Sequence, residues 1–314
     1  MRIIVGFTPG GTYDSFARLS ANYLPKYLPG SPTVVVENRP GAGTLLAANA
    51  LYNTEPQDGT ILATIAEGVV LQQATGTPGI EFDAAKFQWL GSTGKTSSMC
   101  MIRKDLGLSS IQEVISSGKD IPVSTSGRGT QAHDFPALLN VVLGTKFRLI
   151  SGYTSGPETQ AAFEKGEANG FCTSVTVYLL RQRPLVESPN GFASLLVHSG
   201  SGSRDASDPA VAGVPSAMDF ADAVGKQALQ AYNGPLQMAF PMTAGPGVPA
   251  ERVQALRRAF EAMYKDPEFV NDAHRFEPGF GAPNANTGEE VTRLVQGILS
   301  TPPDVLAKIK ESQK

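Results

Sequence analysis

Long apolar runs are missing from this chain of 314 residues. The longest, such as Ile61–Ala66 or Ser194–Val197 with its neighbours, fall far short of the roughly 18–20 residues that a bilayer demands. No transmembrane span is expected. An excess of one charge is missing too: 26 Lys and Arg stand against 29 Asp and Glu, a formal net charge of −3 and a pI near 5.7. That balance lacks the basic footprint of a nucleic-acid-binding protein, so no nucleic-acid partner is expected. Selectivity for a charged partner must come from local groups. Histidine occurs three times, as His133, His198 and His274, with none of the close spacings of a metal site. Neither a metal nor a cofactor is expected. Cysteine occurs twice, as Cys100 and Cys172. A chain this long needs no staple to fold, so the pair reads first as buried free thiols, with a disulfide or a reactive thiol as the alternatives. A leader is also lacking: Met1-Arg2 runs straight into Ile3–Phe7 without a charged n-region or a small-residue cleavage site. Two readings stay open, a cytoplasmic protein or a mature form carrying an added Met.

The common catalytic signatures fail in turn. No Gly-x-Ser-x-Gly elbow occurs. Gly94-Lys95-Thr96 ends like a phosphate-binding loop, but Trp89 holds the place of its first glycine, which removes the cradle of backbone amides. Gly41-Ala42-Gly43 lacks the third glycine of a dinucleotide fingerprint, having Leu46 there. Ser92-Thr93-Gly94-Lys95 fits Ser-x-x-Lys without the partner motifs.

What is present is an ordinary globular composition, 41% hydrophobic and 18% charged, with 33 glycines and 23 prolines punctuating short elements. The length suggests two domains. Strand and helix patterns alternate: strands at Ile3–Phe7, Thr33–Glu37 and Gly59–Ala66, helices at Ser15–Tyr27 and Thr44–Asn53. A second cycle has strands at Met99–Arg103, Pro122–Ser126, Phe147–Ser151, Gly170–Ser174 and Ala193–His198. Its helices are Gln131–Leu143, with Phe135, Leu138, Leu139 and Val142 on one face, and Glu158–Lys165. The pattern predicts an α/β protein, each domain a mainly parallel sheet flanked by helices. The tail adds a strand at Leu236–Thr243, an amphipathic helix Ala250–Lys265 and a capping box at Thr287-Gly288-Glu289-Glu290 that starts a helix reaching Leu299. These pack most simply on the first domain. The expected division is 1–101 with 236–314 against 102–235, the chain crossing twice. The Gly/Ser-rich stretch Ser199–Ser207 reads as an exposed loop.

Two segments carry the functional signal. One is Phe7-Thr8-Pro9-Gly10-Gly11-Thr12-Tyr13-Asp14, between the first strand and first helix. The other is Ser124-Thr125-Ser126-Gly127-Arg128-Gly129-Thr130-Gln131-Ala132-His133, between a strand and helix of the second cycle. Each is a hydroxyl-rich glycine turn that opens a helix, where unpaired amides and the helix dipole attract anions. In open α/β sheets ligands sit beyond the carboxyl ends of the strands. The bland alternative is that Asp14 and Thr130 cap helices and the glycines only turn the chain. Arg128 is the one cation within either loop; Arg18, one turn into its helix, reads as a structural ion pair.

The order of motifs resembles the substrate-binding receptors of tripartite tricarboxylate transporters, the Bug family. The resemblance rests on Val5-Gly6-Phe7-Thr8-Pro9-Gly10-Gly11 through Asp14 and Ala17-Arg18, where the family usually has Pro at the places of Gly6 and Thr8. It rests most on Val34-Val35-Val36-Glu37-Asn38-Arg39-Pro40-Gly41-Ala42-Gly43. It continues through Asp58-Gly59-Thr60-Ile61-Leu62, Phe82-Asp83 with Phe87, Ser126–Thr130 with His133, Tyr153 and Gly156, Val214-Pro215-Ser216 and Gly247-Val248-Pro249. It implies a two-domain fold of the type II periplasmic-binding-protein kind. It also implies a monomer in the periplasm that closes on a small organic acid between the domains and delivers it to the permease subunits of such a transporter. The ligand set so implied is Phe7, Thr8, Gly10, Gly11, Thr12, Tyr13, Asp14, Ala66 and Glu67 from one domain. From the other it is Ser126, Gly127, Arg128, Gly129, Thr130, His133, Tyr153, Ser155, Gly156, Thr173 and Ser174. The first loop would hold the carboxylate partly through water and the second directly. Departures from the family bear on the ligand: Glu67 stands where small polar residues are usual, Tyr13 is large for its place, and Asn169-Gly170 replaces an acidic residue. Glu67 would repel a ligand carboxylate unless turned away or paired. These departures favour a mono-acid with an aromatic or hydroxylated far end over a short dicarboxylate. The rival reading is an enzyme of the same shape with His133 or Asp14 as general base.

Overall fold

The computed structural model describes residues 1–200, 212–276 and 285–312. Eleven strands occur among them. They are β1 (Arg2–Val5), β2 (Val35–Asn38), β3 (Ile61–Thr64), β4 (Gln88–Ser92), β5 (Ser98–Arg103), β6 (Ile121–Ser124), β7 (Phe147–Ile150), β8 (Gly170–Ser174), β9 (Ala193–His198), β10 (Met242–Ala244) and β11 (Asn286–Thr287). They form two sheets, one of six strands in the order β11-β4-β10-β3-β1-β2 and one of five in the order β7-β6-β8-β5-β9. The chain divides accordingly into a unit of residues 1–95 and 234–300 and a unit of residues 96–233 and 301–314.

The first sheet starts as the sequence pattern requires, with β1 parallel to both β2 and β3 through helical crossovers. Ile3, Ile4 and Val5 are fully buried, and the helix Thr12–Tyr23 places Phe16, Ala17 and Leu19 in one core with Ile3 and Val5. Two strands run the other way: β10 is antiparallel to β3 and β4, and β11 to β4, so β4 keeps the direction of β1. The second sheet is divided too, β6 running parallel to β7 and β8 while β5 is antiparallel to β8 and β9. Both sheets are therefore mixed, with four of six strands and four of five running one way. The physical reason is that β5 and β10 are the strands by which the chain enters a unit after leaving the other.

The expected tail strand Leu236–Thr243 is shorter. The helix Ala223–Leu236 runs through Leu236, and after an isolated bridge between Ala239 and Gly94 the strand begins only at Met242. Ala250–Lys265 is helical with Val253, Leu256, Phe260 and Met263 buried, and the Thr287 capping box is formed, Thr287 Oγ1 accepting from the Glu290 amide at 3.2 Å and Glu290 Oε2 from the Thr287 amide at 2.7 Å. The last helix, Pro303–Ser312, differs from expectation. It buries Val305 and Ile309 and packs with the helix Gln131–Leu143, so residues 301–314 belong to the second unit and the chain passes between units a third time. Of the expected loop Ser199–Ser207, Ser199 and Gly200 are buried and the rest lies outside the described residues. No helix among the described residues is long and apolar enough to cross a membrane.

The two cysteines are buried, as expected, but not free. Cys100 and Cys172 face each other across β5 and β8 and are joined as a disulfide. Sequence spacing alone hides this, because strand register decides which side chains become neighbours.

Two backbone features tie the first unit's loops together. Thr44 holds a left-handed backbone, φ 78°, and its hydroxyl accepts the Ala66 amide at 2.9 Å. A Cβ on Gly6 would stand 2.5 Å from Thr44 Cβ, so only glycine fits beside it. Replacing Gly6 by Ala is expected to cost about 1–3 kcal/mol through overpacking, read from urea unfolding. The paired Cys100→Ser, Cys172→Ser variant is expected to lose about 2–4 kcal/mol in the same assay, since the bond closes a long loop.

Candidate functional site

In the first unit, Asp14 organises the loop between β1 and its helix. It sits one turn into the helix Thr12–Tyr23, whose N-cap is Gly11, so it is not the cap expected of it. Its Oδ2 accepts the Gly10 amide at 3.0 Å and Arg18 Nε at 2.9 Å; its Oδ1 accepts a second Arg18 nitrogen and the Asn38 amide, both at 2.9 Å. Gly10 has φ 94°, a left-handed conformation that turns its N–H toward the carboxylate. Asp14 is 3% exposed. Burial pushes its carboxyl up, but the hydrogen bonds from Arg18, Gly10 and Asn38 outweigh this and hold it below the ordinary 3.8. Arg18 is thus the ion-pair partner the sequence suggested. Asn38 also donates to the Phe7 carbonyl at 2.9 Å. Its double role was missed, although it lies within the Glu37-Asn38-Arg39 motif.

Beside it lies an aromatic group. Tyr13 stands 4.8 Å from Phe7 and 4.8 Å from Phe240, ring centre to ring centre. Its hydroxyl donates to Glu67 Oε2. Glu67 is 5% exposed, so the carboxylate out of place for the family is paired, one of the two outcomes allowed for it. Ala66 is buried, its amide held by Thr44; Thr12 is buried and Thr8 half-buried.

The second unit repeats the device. Asp134 in the first turn of Gln131–Leu143 accepts the Gly129 amide with both oxygens, at 3.1 and 3.0 Å, and Gly129 has φ 85°. His133 Nδ1 lies 2.9 Å from Asp134 Oδ1. Thr130 does not cap that helix with its side chain. Its hydroxyl instead donates to the Gly127 carbonyl at 2.6 Å and lies 2.8 Å from Ser126 Oγ. Arg128 is exposed on the turn and has no ion pair among the described residues.

The other expected residues are placed as follows. Ser155 is the N-cap of the helix Gly156–Lys165 and is buried. Tyr153 donates to Glu167 at 3.2 Å, and Thr154, not foreseen, holds Glu158 through its amide at 2.7 Å and its hydroxyl at 2.8 Å. Thr173 and Ser174 end β8, both buried, with Ser174 Oγ accepting the Val177 amide at 3.0 Å. The amides of Gly10 and Gly129, expected to face an anion, are taken by aspartates. In the first loop the Gly11 and Thr12 amides have no acceptor among the described residues. No group of three or more His, Cys, Asp or Glu among the described residues is placed to hold a metal.

Comparisons with known proteins bring in a family. The model described as "Tripartite tricarboxylate transporter family receptor" matches residues 16–310. A Cupriavidus necator protein, "UPF0065 protein in gbd 5'region", is 33% identical over 123 residues, 39% of this chain and 36% of its own length; the chain thus spans little more than a third of that relative. Among solved structures, the periplasmic binding protein BugD has a TM-score of 0.75 at 18% identity, covering 100% of this chain and 97% of that one. MatC from Rhodopseudomonas palustris, solved with bound malate, has a TM-score of 0.74 at 20% identity, covering 98% of each chain. These structural likenesses carry the two-domain fold of periplasmic binding proteins.

A pH experiment checks the Asp14 clamp. Its folded pKa is depressed, so its contribution is complete above the ordinary value and disappears as acid takes the pH down through the folded value. Asp14→Asn is expected to lower the melting temperature near neutrality and to flatten its fall between about pH 5 and pH 2, measured by thermal unfolding across that range.

Proposed function

We propose, from the premise that this chain belongs to the tripartite tricarboxylate transporter receptor family, that it is a non-enzymatic receptor for a small organic carboxylate, which it delivers to the membrane permease of such a transporter. The observation that carries this reading is the pair of glycine loops, one in each unit, each locked by an aspartate in the first turn of a helix. Locked loops present their remaining amides without reorganisation, which lowers the cost of gripping an anion. Arg128, which has no ion pair among the described residues, adds a cation to the second loop. The periplasm is the proposed compartment, since the Cys100–Cys172 bond needs oxidising surroundings to form and persist.

The ligand class follows from the first loop. Glu67 is fixed beside Tyr13, and Phe7 and Tyr13 retain partial exposure. A second ligand carboxylate there would meet like charge, whereas an aromatic or hydroxylated end would meet rings and a hydroxyl. The proposed ligand is therefore a mono-acid of that kind. MatC binds malate, a dicarboxylate, so this chain's preference is expected to differ. The enzyme alternative needs a free base, and Asp14 is engaged by donors on both oxygens with its pKa held down.

Calorimetric titration with malate, adipate, benzoate and 4-hydroxybenzoate tests the reading, alongside mass spectrometry of whatever acid the purified protein releases. Arg128→Ala and Gly11→Val are each expected to weaken binding by roughly tenfold or more, the size of one lost charge-assisted contact, with melting temperatures kept. Unchanged affinity in both, or turnover of the bound acid, would overturn it.

A further inference from the structure

Phe240 holds a backbone conformation that suits its side chain badly. Its φ is 50°, in the left-handed region that a bulky residue rarely enters. The next residue is Pro241, which restricts the backbone before it further. Such a conformation persists only where neighbours over-determine it, and here they do. On one side, the Ala239 carbonyl accepts Thr93 N at 3.0 Å and Thr93 Oγ1 at 3.1 Å, while the Ala239 amide donates to Gly94 O at 2.8 Å. On the other, Met242 is already in β10, paired with Thr64 and Gly91. The chain between these fixed points has no freedom to relax.

The strain has a visible product. The Phe240 ring is 5% exposed and meets Tyr13 edge-on, centroids 4.8 Å apart at 65°. Tyr13 in turn lies 4.8 Å from Phe7 and donates its hydroxyl to Glu67. The ring thus backs Tyr13, which is partly exposed, and the phenol it supports covers a buried carboxylate. We infer that Phe240 is a positioning residue for the first ligand loop: its ring, aimed by the left-handed backbone, holds Tyr13 on Glu67 and so sets which acids that loop accepts. This rests on the receptor reading above. Without the ring, Tyr13 can swing from Glu67. The loop then loses its aromatic wall and uncovers a negative charge, and discrimination among acids collapses.

The test has two arms. The first needs no ligand: the protein is labelled with 3-fluorotyrosine, and the Tyr13 fluorine resonance is assigned by its loss in Tyr13→Phe. Phe240→Ala and Phe240→Gly are both expected to shift and narrow that resonance, and Phe240→Tyr to restore it. The glycine variant accepts the left-handed backbone freely, so it separates the ring's role from the backbone's and gives a folded protein should the alanine variant fail to fold. The second arm compares affinities for 4-hydroxybenzoate and malate. Their ratio is expected to fall at least tenfold in Phe240→Gly and to recover in Phe240→Tyr. An unmoved Tyr13 resonance, an unchanged ratio in Phe240→Gly, or equal weakening towards both acids overturns the inference. If the wild-type chain binds none of the acids, the receptor reading falls, and the fluorine arm alone then judges the role of Phe240.

Discussion

An aspartate accepting the amide of a left-handed glycine is the interaction on which both candidate loops depend. Asp14 takes Gly10 and Asp134 takes Gly129, each from the first turn of a helix whose positive end favours a carboxylate. The glycine is required because its backbone must turn the N–H inward. The aspartate is the helix side chain that accepts that N–H. Each loop is thereby held in one shape, and what it offers to a ligand is decided by which amides remain. The aspartate sits four residues after the glycine in the first loop and five in the second, so the device recurs without the sequence repeating.

The arrangement makes charge a local question. Asp14, Glu67 and Asp134 are three carboxylates in or beside loops read as anion sites, in a protein already carrying a net charge of −3. Each is engaged: Asp14 by Arg18 and Asn38, Glu67 by Tyr13, Asp134 by Gly129 and His133. Arg18, in the helix behind the first loop, is bound to Asp14, while Arg128 has no ion pair among the described residues. On the proposed reading, attraction for an anion would reside in a few amides and one guanidinium, against a background that repels. Such a site gains affinity from placement, not from field strength.

Much of this was legible in the residues. The glycine turns, the helices behind them, the Thr287 capping box and the apolar face of Ala250–Lys265 are local patterns, and local patterns survive folding. What stayed hidden depends on register or distance. Nothing about Cys100 and Cys172 shows that β5 and β8 place them opposite each other. Nothing in Pro303–Ser312 shows that its apolar side belongs to the second unit, since an amphipathic helix does not name its partner. The mixed sheets escaped for a related reason: alternation of strand and helix predicts parallel pairing, but a chain that leaves a unit and returns can enter its sheet from either end. Asn38 was within a quoted motif, yet its two hydrogen bonds span 24 and 31 residues. Phe240 gave no signal, because backbone strain is a property of the fold and not of the residue type.

The same bonding bears on the choice between receptor and catalyst. A general base needs an available lone pair and a pKa near the working pH. Asp14 accepts from Gly10, Arg18 and Asn38 on its two oxygens, and those donors favour its ionised form. His133 Nδ1 is directed at Asp134, the carboxylate that fixes Gly129, so this pair also belongs to the shape of the second loop. Asp14, which looks catalytic by residue type, is structural by its partners. A loop whose acids are spent on its own shape is suited to holding an anion and poorly suited to transforming one.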